Sequence, residues 1–223
     1  FEAAEGIQLF NRKNGRLESL TDSGRKIYRY ATEIVNRHEE MLSMIHIEAQ
    51  KQKGTINLGI PSLILRVYFA SALPHFLKNN PHIHIQVTEG GGKEIRQKMV
   101  DGDLNLSILI EPTSLDAKKY EQHIIQLDEY VAYMDKDHPL AQKSLLEWSD
   151  IAGYELATFN KTFTTYDLVT EKLRSQRIEA KFAYLSSTWD FLVESTHQTD
   201  LIALLPRPVE YFVDKSRFKA VRF

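Results

Sequence analysis

Hydrophobic positions along the chain change their period twice, and each change marks a structural boundary. The first ten residues read as the last turns of a helix stopped at Gly6. Asn14-Gly15 then signals a two-residue hairpin turn, with Arg12, Lys13 and Arg16 crowded around it. Thr21-Asp22-Ser23 supplies a helix N-cap and an acidic first turn. From there to about Gln52 nothing interrupts a helix. Ile27, Ala31, Ile34, Met41 and Ile45 follow steps of four and three, and His38 fills the remaining seam position. A helix of ~30 residues with one narrow apolar seam and charged flanks needs a partner. A second copy of the chain is the simplest partner; the alternative is a helix lying on its own domain's core. Lys53-Gly54 ends that helix, and the pattern switches to alternating short elements. Strands are expected over 55–60, 83–87, 104–110, 130–134, 155–159, 181–185 and 201–204. Helices are expected over 62–78, 93–100, 145–151, 166–177 and 189–197. Such alternation predicts an α/β fold with parallel sheets and right-handed crossovers.

Composition narrows the classes. The chain has 223 residues, with 28 Lys plus Arg against 30 Asp plus Glu, a formal net charge of −2. That balance excludes a uniformly basic nucleic-acid binder and leaves room for a local basic patch. Without cysteine there is no disulfide scaffold, thiolate metal site or thiol catalysis. No apolar run approaches the ~20 residues needed to cross a bilayer, and no signal-peptide pattern is present, so the cytoplasm is the expected location. The first residue is Phe1, which suggests a piece of a longer polypeptide.

Candidate chemistry lies where the strands end, because open α/β sheets bind ligands beyond the C-terminal ends of their strands. Strand 55–60 runs into Ser62, and strand 83–87 into Gly90, Gly91 and Gly92. Strand 155–159 leads into Asn160, Lys161, Thr164 and Thr165, and strand 181–185 into Ser187 and Thr188, with Trp189 opening the next helix. Helix starts carry free N–H groups and partial positive charge, so several facing one cleft suit an anion, with a small carboxylate the natural guest. Each Ser or Thr taken singly is also an ordinary helix cap. The glycine run matches neither a dinucleotide fingerprint nor a phosphate-binding loop. No nucleophile motif, metal-binding helix motif or paired carboxylates emerge, so no catalytic residue, metal or cofactor is assigned. His82 and His84 share a strand face but lack a third ligand, which favours surface histidines.

The order of several motifs resembles the LysR-type transcriptional regulators. The residues that carry the resemblance are Gly6-Ile7-Gln8-Leu9-Phe10-Asn11-Arg12, Gly15-Arg16 and Leu20-Thr21-Asp22-Ser23-Gly24 near the start. Further on come Gly54 to Pro61, Leu73-Pro74-His75-Phe76, Pro81-His82-Ile83, Gly102 to Ile108 and His138-Pro139-Leu140. The resemblance implies a two-lobed effector domain, like a type II periplasmic binding protein, preceded by a long dimerisation helix and the remnant of a winged helix-turn-helix. It divides the chain into the end of the winged helix at 1–20, a linker helix at 21–52, lobe I at 54–126 and lobe II at 127–223. It further implies operator DNA, a small carboxylate effector and a homodimer or homotetramer as partners. Arg12, Lys13 and Arg16 of the wing would meet phosphates. Effector contacts would include Ser62 with Leu63 in lobe I, and Thr164 or Thr165 in lobe II. Phe159-Asn160-Lys161 and Gly91-Gly92-Lys93 are similar to those of members responding to small carboxylates.

Two departures accompany the resemblance: Glu5 replaces a usual apolar residue, and Asn105 a frequent Asp. Under the resemblance, most of the DNA-binding unit is expected to be absent from this sequence, and lobe I is expected to lack its final strand and helix. The competing reading is a solute-binding protein of a transport system. An enzyme on a binding-protein scaffold comes third, since no reactive constellation is present.

Overall fold

The switch in hydrophobic period near residue 53 corresponds to a division of the chain into two units, Phe1–Lys53 and Gly54–Phe223. The structure is a computed structural model and describes residues 1–51 and 54–223. The expected helix end at Gln52 and Lys53 lies outside the described residues.

In the first unit, α1 (Glu2–Glu5) stops at Gly6, whose φ of 64° is the left-handed helix ending expected there. Strands β1 (Phe10–Lys13) and β2 (Arg16–Leu20) pair antiparallel. Their turn places Asn14 and Gly15 at φ 50° and 77°, the two positive angles that make Asn-Gly the preferred sequence. The Glu2 carboxylate accepts hydrogen bonds from the Leu9 and Phe10 N–H groups at 2.6 and 3.0 Å. These bonds, with the Arg12 guanidinium beside them, hold its pKa below the usual carboxylate range. Helix α2 (Asp22–Lys51) begins where Thr21 Oγ1 accepts from the Gly24 N–H at 2.9 Å, a side-chain N-cap. The same hydroxyl donates to the Gln8 carbonyl at 2.7 Å, tying the helix start to the hairpin. Along α2, Ile34, Met41 and Ile45 of the predicted seam are exposed in the single chain.

The second unit holds two sheets. Strands β3 (Thr55–Ile60), β4 (His84–Glu89) and β5 (Leu106–Ser107) form a parallel sheet in the order β4-β3-β5. The expected strand at 104–110 is trimmed to two residues. Asn105 extends its pairing, because its Oδ1 accepts from the Asn57 N–H at 2.8 Å while its own N–H donates to the Asn57 carbonyl at 2.9 Å. The predicted helix at 62–78 is broken into α3 (Ser62–Ile64), a π-helical turn (Leu65–Phe69) and α4 (Ala72–Asn79). Helix α5 (Gly92–Val100) follows β4.

Strands β6 (Tyr130–Asp135), β7 (Glu155–Phe159), β8 (Lys181–Ser186), β9 (Ile202–Pro206) and β10 (Phe218–Arg222) form the larger sheet, ordered β10-β6-β9-β7-β8. Helices α6 (Thr164–Ser175) and α7 (Trp189–Glu194) follow β7 and β8. The expectation of parallel sheets holds for the smaller sheet and, in the larger one, only for the β8-β7-β9 side. Strand β6 runs antiparallel to both β9 and β10, and β10 escaped the sequence reading. The expected helix at 145–151 is a single 3-10 turn, Trp148–Ile151. In β6, Val131 and Tyr133 join one buried cluster and Ala132 and Met134 the other, so both faces of the sheet are covered. Leu63 and the neighbouring Val67 pack into the first of these clusters, which locks the start of the broken helix onto the larger sheet.

Candidate functional site

The chain leaving β3, β4, β7 and β8 opens onto one cavity of about 540 Å³ between the two sheets. Ser62 follows β3; Glu89, Gly90, Gly91 and Glu94 follow or end β4. Asn160, Thr162 and Phe163 follow β7, and Ser187, Thr188, Trp189 and Asp190 follow β8. A second, more open cavity of about 510 Å³ adjoins it and shares Ser62, Glu89 and Trp189; Leu65, Arg66, Phe69 and Leu73 also line it.

The halves meet closely at one edge of the first cavity. The Lys93 N–H at the start of α5 donates to the Thr162 carbonyl at 3.0 Å. The Lys93 ammonium pairs with Asp167 of α6 at 2.7 Å. Gly91 permits the approach, since a Cβ there would lie 2.5 Å from the Thr162 carbonyl oxygen, and one on Gly92 would lie 3.0 Å from Thr164 Oγ1. The loop carrying Thr162 is held by Asn160, whose Oδ1 accepts from the Thr162 N–H at 3.0 Å and from its hydroxyl at 2.7 Å. Phe163 stacks on Phe159 with ring centroids 4.5 Å apart and is buried beneath the cavity. Arg66 lies over the rings of Trp189 and Phe212, 5.5 and 4.5 Å from their centroids.

Of the expected effector contacts, Ser62, Gly91, Asn160, Thr188 and Trp189 come together in this lining. Five others fall elsewhere. Leu63 belongs to the buried core. Gly92 is buried against Thr164, so both serve the contact between the halves. Thr165 is fully buried beside the Tyr130 hydroxyl, and Lys161 points outward as an exposed side chain. Sequence reasoning missed three lining carboxylates, Glu89, Glu94 and Asp190. Each stands within two residues of Gly91, Gly92 or Trp189, and Glu94 and Asp190 occupy the first turns of α5 and α7, where acids are common on any helix and by themselves mark no ligand contact.

In the first unit, Arg12, Lys13 and Arg16 all sit on the hairpin and are exposed. Arg12 pairs with Glu2 at 3.1 Å, and Lys13 approaches Glu18 at 3.9 Å. Arg16 has no ion pair among the described residues. His82 and His84 are exposed, and no group of three His, Asp or Glu side chains converges on a metal position among the described residues. Among those residues, no helix is long and apolar enough to cross a membrane.

A family model described as the LysR substrate binding domain matches residues 49–223, and the chain belongs to this family of transcriptional regulators. It is similar to an uncharacterized HTH-type transcriptional regulator, YwbI, of Bacillus subtilis, at 24% identity over 97% of this chain and 71% of that protein. It is also 24% identical to the HTH-type transcriptional regulator CysB of Burkholderia cenocepacia, over 71% of this chain and 50% of that protein. Among solved structures, HinK, a LysR family transcriptional regulator from Pseudomonas aeruginosa, aligns with a TM-score of 0.64 at 20% identity, covering 99% of this chain and 72% of its own. The regulatory domain of Synechocystis CcmR, solved in complex with 2-PG, aligns at a TM-score of 0.67 and 15% identity, over 75% of this chain and 79% of its own. At these identities the two structures establish the effector-domain fold.

Proposed function

We propose that the chain is the linker and effector-binding part of a DNA-binding regulator, whose small-metabolite effector sits between the two sheets and changes operator binding through the oligomer. The observation that carries this reading is the meeting of four parallel-strand ends at one cavity, the place where open α/β sheets hold ligands. The same kind of domain holds 2-PG in CcmR. Ser62, Ser187 and Thr188 offer hydroxyl donors there and Asn160 its amide, which suits a carboxylate-bearing metabolite. The divisions at 21–52, 54–126 and 127–223 correspond to a linker helix and two lobes under this reading. The exposed α2 seam would pair with a second copy, giving a dimer or a higher oligomer.

The hairpin would supply phosphate contacts. Because Arg12 is already paired with Glu2 and Arg16 is not, Arg16→Ala in the intact regulator is expected to weaken duplex binding more than Arg12→Ala. It should do so alike on all sequences, and lower the slope of log affinity against log salt by roughly one. Unchanged affinity and salt slope in Arg16→Ala would remove the hairpin from the DNA interface. A transporter's solute-binding protein would show neither a basic hairpin that binds DNA nor a paired helix.

A further inference from the structure

We infer that the effector carries a positively charged nitrogen, so that it is an amino-bearing acid or an amine and not a plain di- or tricarboxylate. The inference rests on the reading that this cavity is the effector site, which stands on strand-end geometry and family membership; the charges decide only what the guest must bring. Three carboxylates, Glu89, Glu94 and Asp190, line the cavity from β4, α5 and α7, and no basic side chain lines it. None of the three has an ion pair among the described residues. Glu94 accepts only a long hydrogen bond from the Gly91 N–H, at 3.4 Å, and Asp190 one from the adjacent Phe191 N–H at 2.9 Å.

Three cations lie close by but outside its lining. The Lys93 ammonium is held by Asp167, Arg66 lies over the Trp189 and Phe212 rings, and Lys161 is exposed outside the lining. The start of α5, expected to receive an anion, is closed by the Thr162 carbonyl. A second carboxylate on the guest would therefore meet like charge with no compensating donor of full charge, whereas a cationic nitrogen would find a carboxylate acceptor on whichever of the three elements it faces. The carboxylates come from three elements and do not converge on one metal position, which fits an extended organic cation better than a bare ion. The Trp189 ring at the junction of the two cavities offers a further face for such a group.

The test uses the full chain and three probes that share a four-carbon frame: succinate, 4-aminobutyrate and 1,4-diaminobutane, followed by calorimetry. The amino-bearing probes are expected to bind at ~1 mM or tighter, with succinate at least about tenfold weaker. In the Glu89→Gln/Asp190→Asn double variant, checked for an unchanged melting temperature, they should weaken about tenfold while succinate gains. That reversal of preference is not an effect of general loosening. Succinate binding as well as the amines to the unaltered chain would overturn the inference. So would indifference of all probes to the double variant, or failure of both amino-bearing probes to saturate at about 50 mM. Ser62→Trp, which fills the cavity mouth, separates the two levels. Amine binding that survives it refutes the cavity itself as the site, whereas succinate-selective binding that it abolishes refutes only the charge assignment.

Discussion

Gly91→Ala isolates the contact that brings the two halves of the effector unit together. Gly91 has φ −70°, ψ 150°, a conformation open to alanine, so the substitution tests space and not backbone strain. The added Cβ would lie 2.5 Å from the Thr162 carbonyl oxygen and 2.7 Å from its carbon, both main-chain atoms that cannot swing aside as a side-chain end would. Relief requires the start of α5 and the 160–164 loop to part. That separation stretches the Lys93 N–H bond to Thr162, 3.0 Å in the native contact, and the Lys93–Asp167 pair beside it. Overpacking of this kind costs about 1–3 kcal/mol, and the backbone hydrogen bond about 1 kcal/mol more. The exposed ion pair adds little. In a unit of this size each 1 kcal/mol lowers the melting temperature by roughly 2–4 °C. A loss of about 2–4 kcal/mol therefore corresponds to a drop of roughly 4–16 °C, read by calorimetry or circular dichroism. Gly90→Ala is the matched control. Its Cβ would meet the free end of Glu94 at 3.0 Å, which can rotate away, so a change under ~0.5 kcal/mol is expected. A Gly91→Ala protein melting together with Gly90→Ala would refute the claim that main-chain contact at residue 91 holds the halves together.

Three other substitutions test separate parts of the argument. Thr21→Ala removes both the N-cap to Gly24 and the tie to Gln8; it should cost about 1–2 kcal/mol in the first unit, seen as faster amide exchange over the opening turns of α2, and unaltered exchange there would discount the cap. Asp135 accepts from the Gln198 and Asp137 N–H groups at 2.7 and 2.9 Å and from His197 Nδ1 at 2.9 Å, bonds that hold its pKa below the ordinary 3.8. Its contribution is thus fully present above pH 3.8 and fades as pH falls through the lowered value. Asp135→Ala should destabilise by roughly 2–4 kcal/mol at neutral pH, with the gap to the parent narrowing in acid; a gap independent of pH would argue against an ionised Asp135. Ile34→Asp places a charge in the seam of α2, where Ile34 is 69% exposed in the single chain; sedimentation should show a smaller assembly than the parent, and an unchanged one would exclude this seam as the pairing face.

Much of the fold could be read from local chemistry because local chemistry determines it. Thr21, the Asn14-Gly15 turn and Gly6 each perform the backbone role that their residue type predicts, within a few residues of themselves. The failures share another cause. Strand β10 pairs with β6 across more than 80 residues of sequence, and only that partner makes its Phe218 and Val221 core residues. The helix expected from 62 is interrupted by the π turn Leu65–Phe69, at a place where Leu63 and Val67 pack into the core of the other sheet. The site behaves in the same way. Hydroxyls at helix starts foretold where the cavity lies, since each start is a local event, and they suggested an anionic guest. Cavity charge is a property of residues assembled only by folding: Glu89, Glu94 and Asp190 come from three separate elements to line one cavity, whose edge is closed at Gly91 and Thr162. Cavity position follows from strand order. Cavity charge depends on a few side chains at its rim, which can change without disturbing the sheets, and the effector's chemistry must therefore be argued from this chain's own carboxylates.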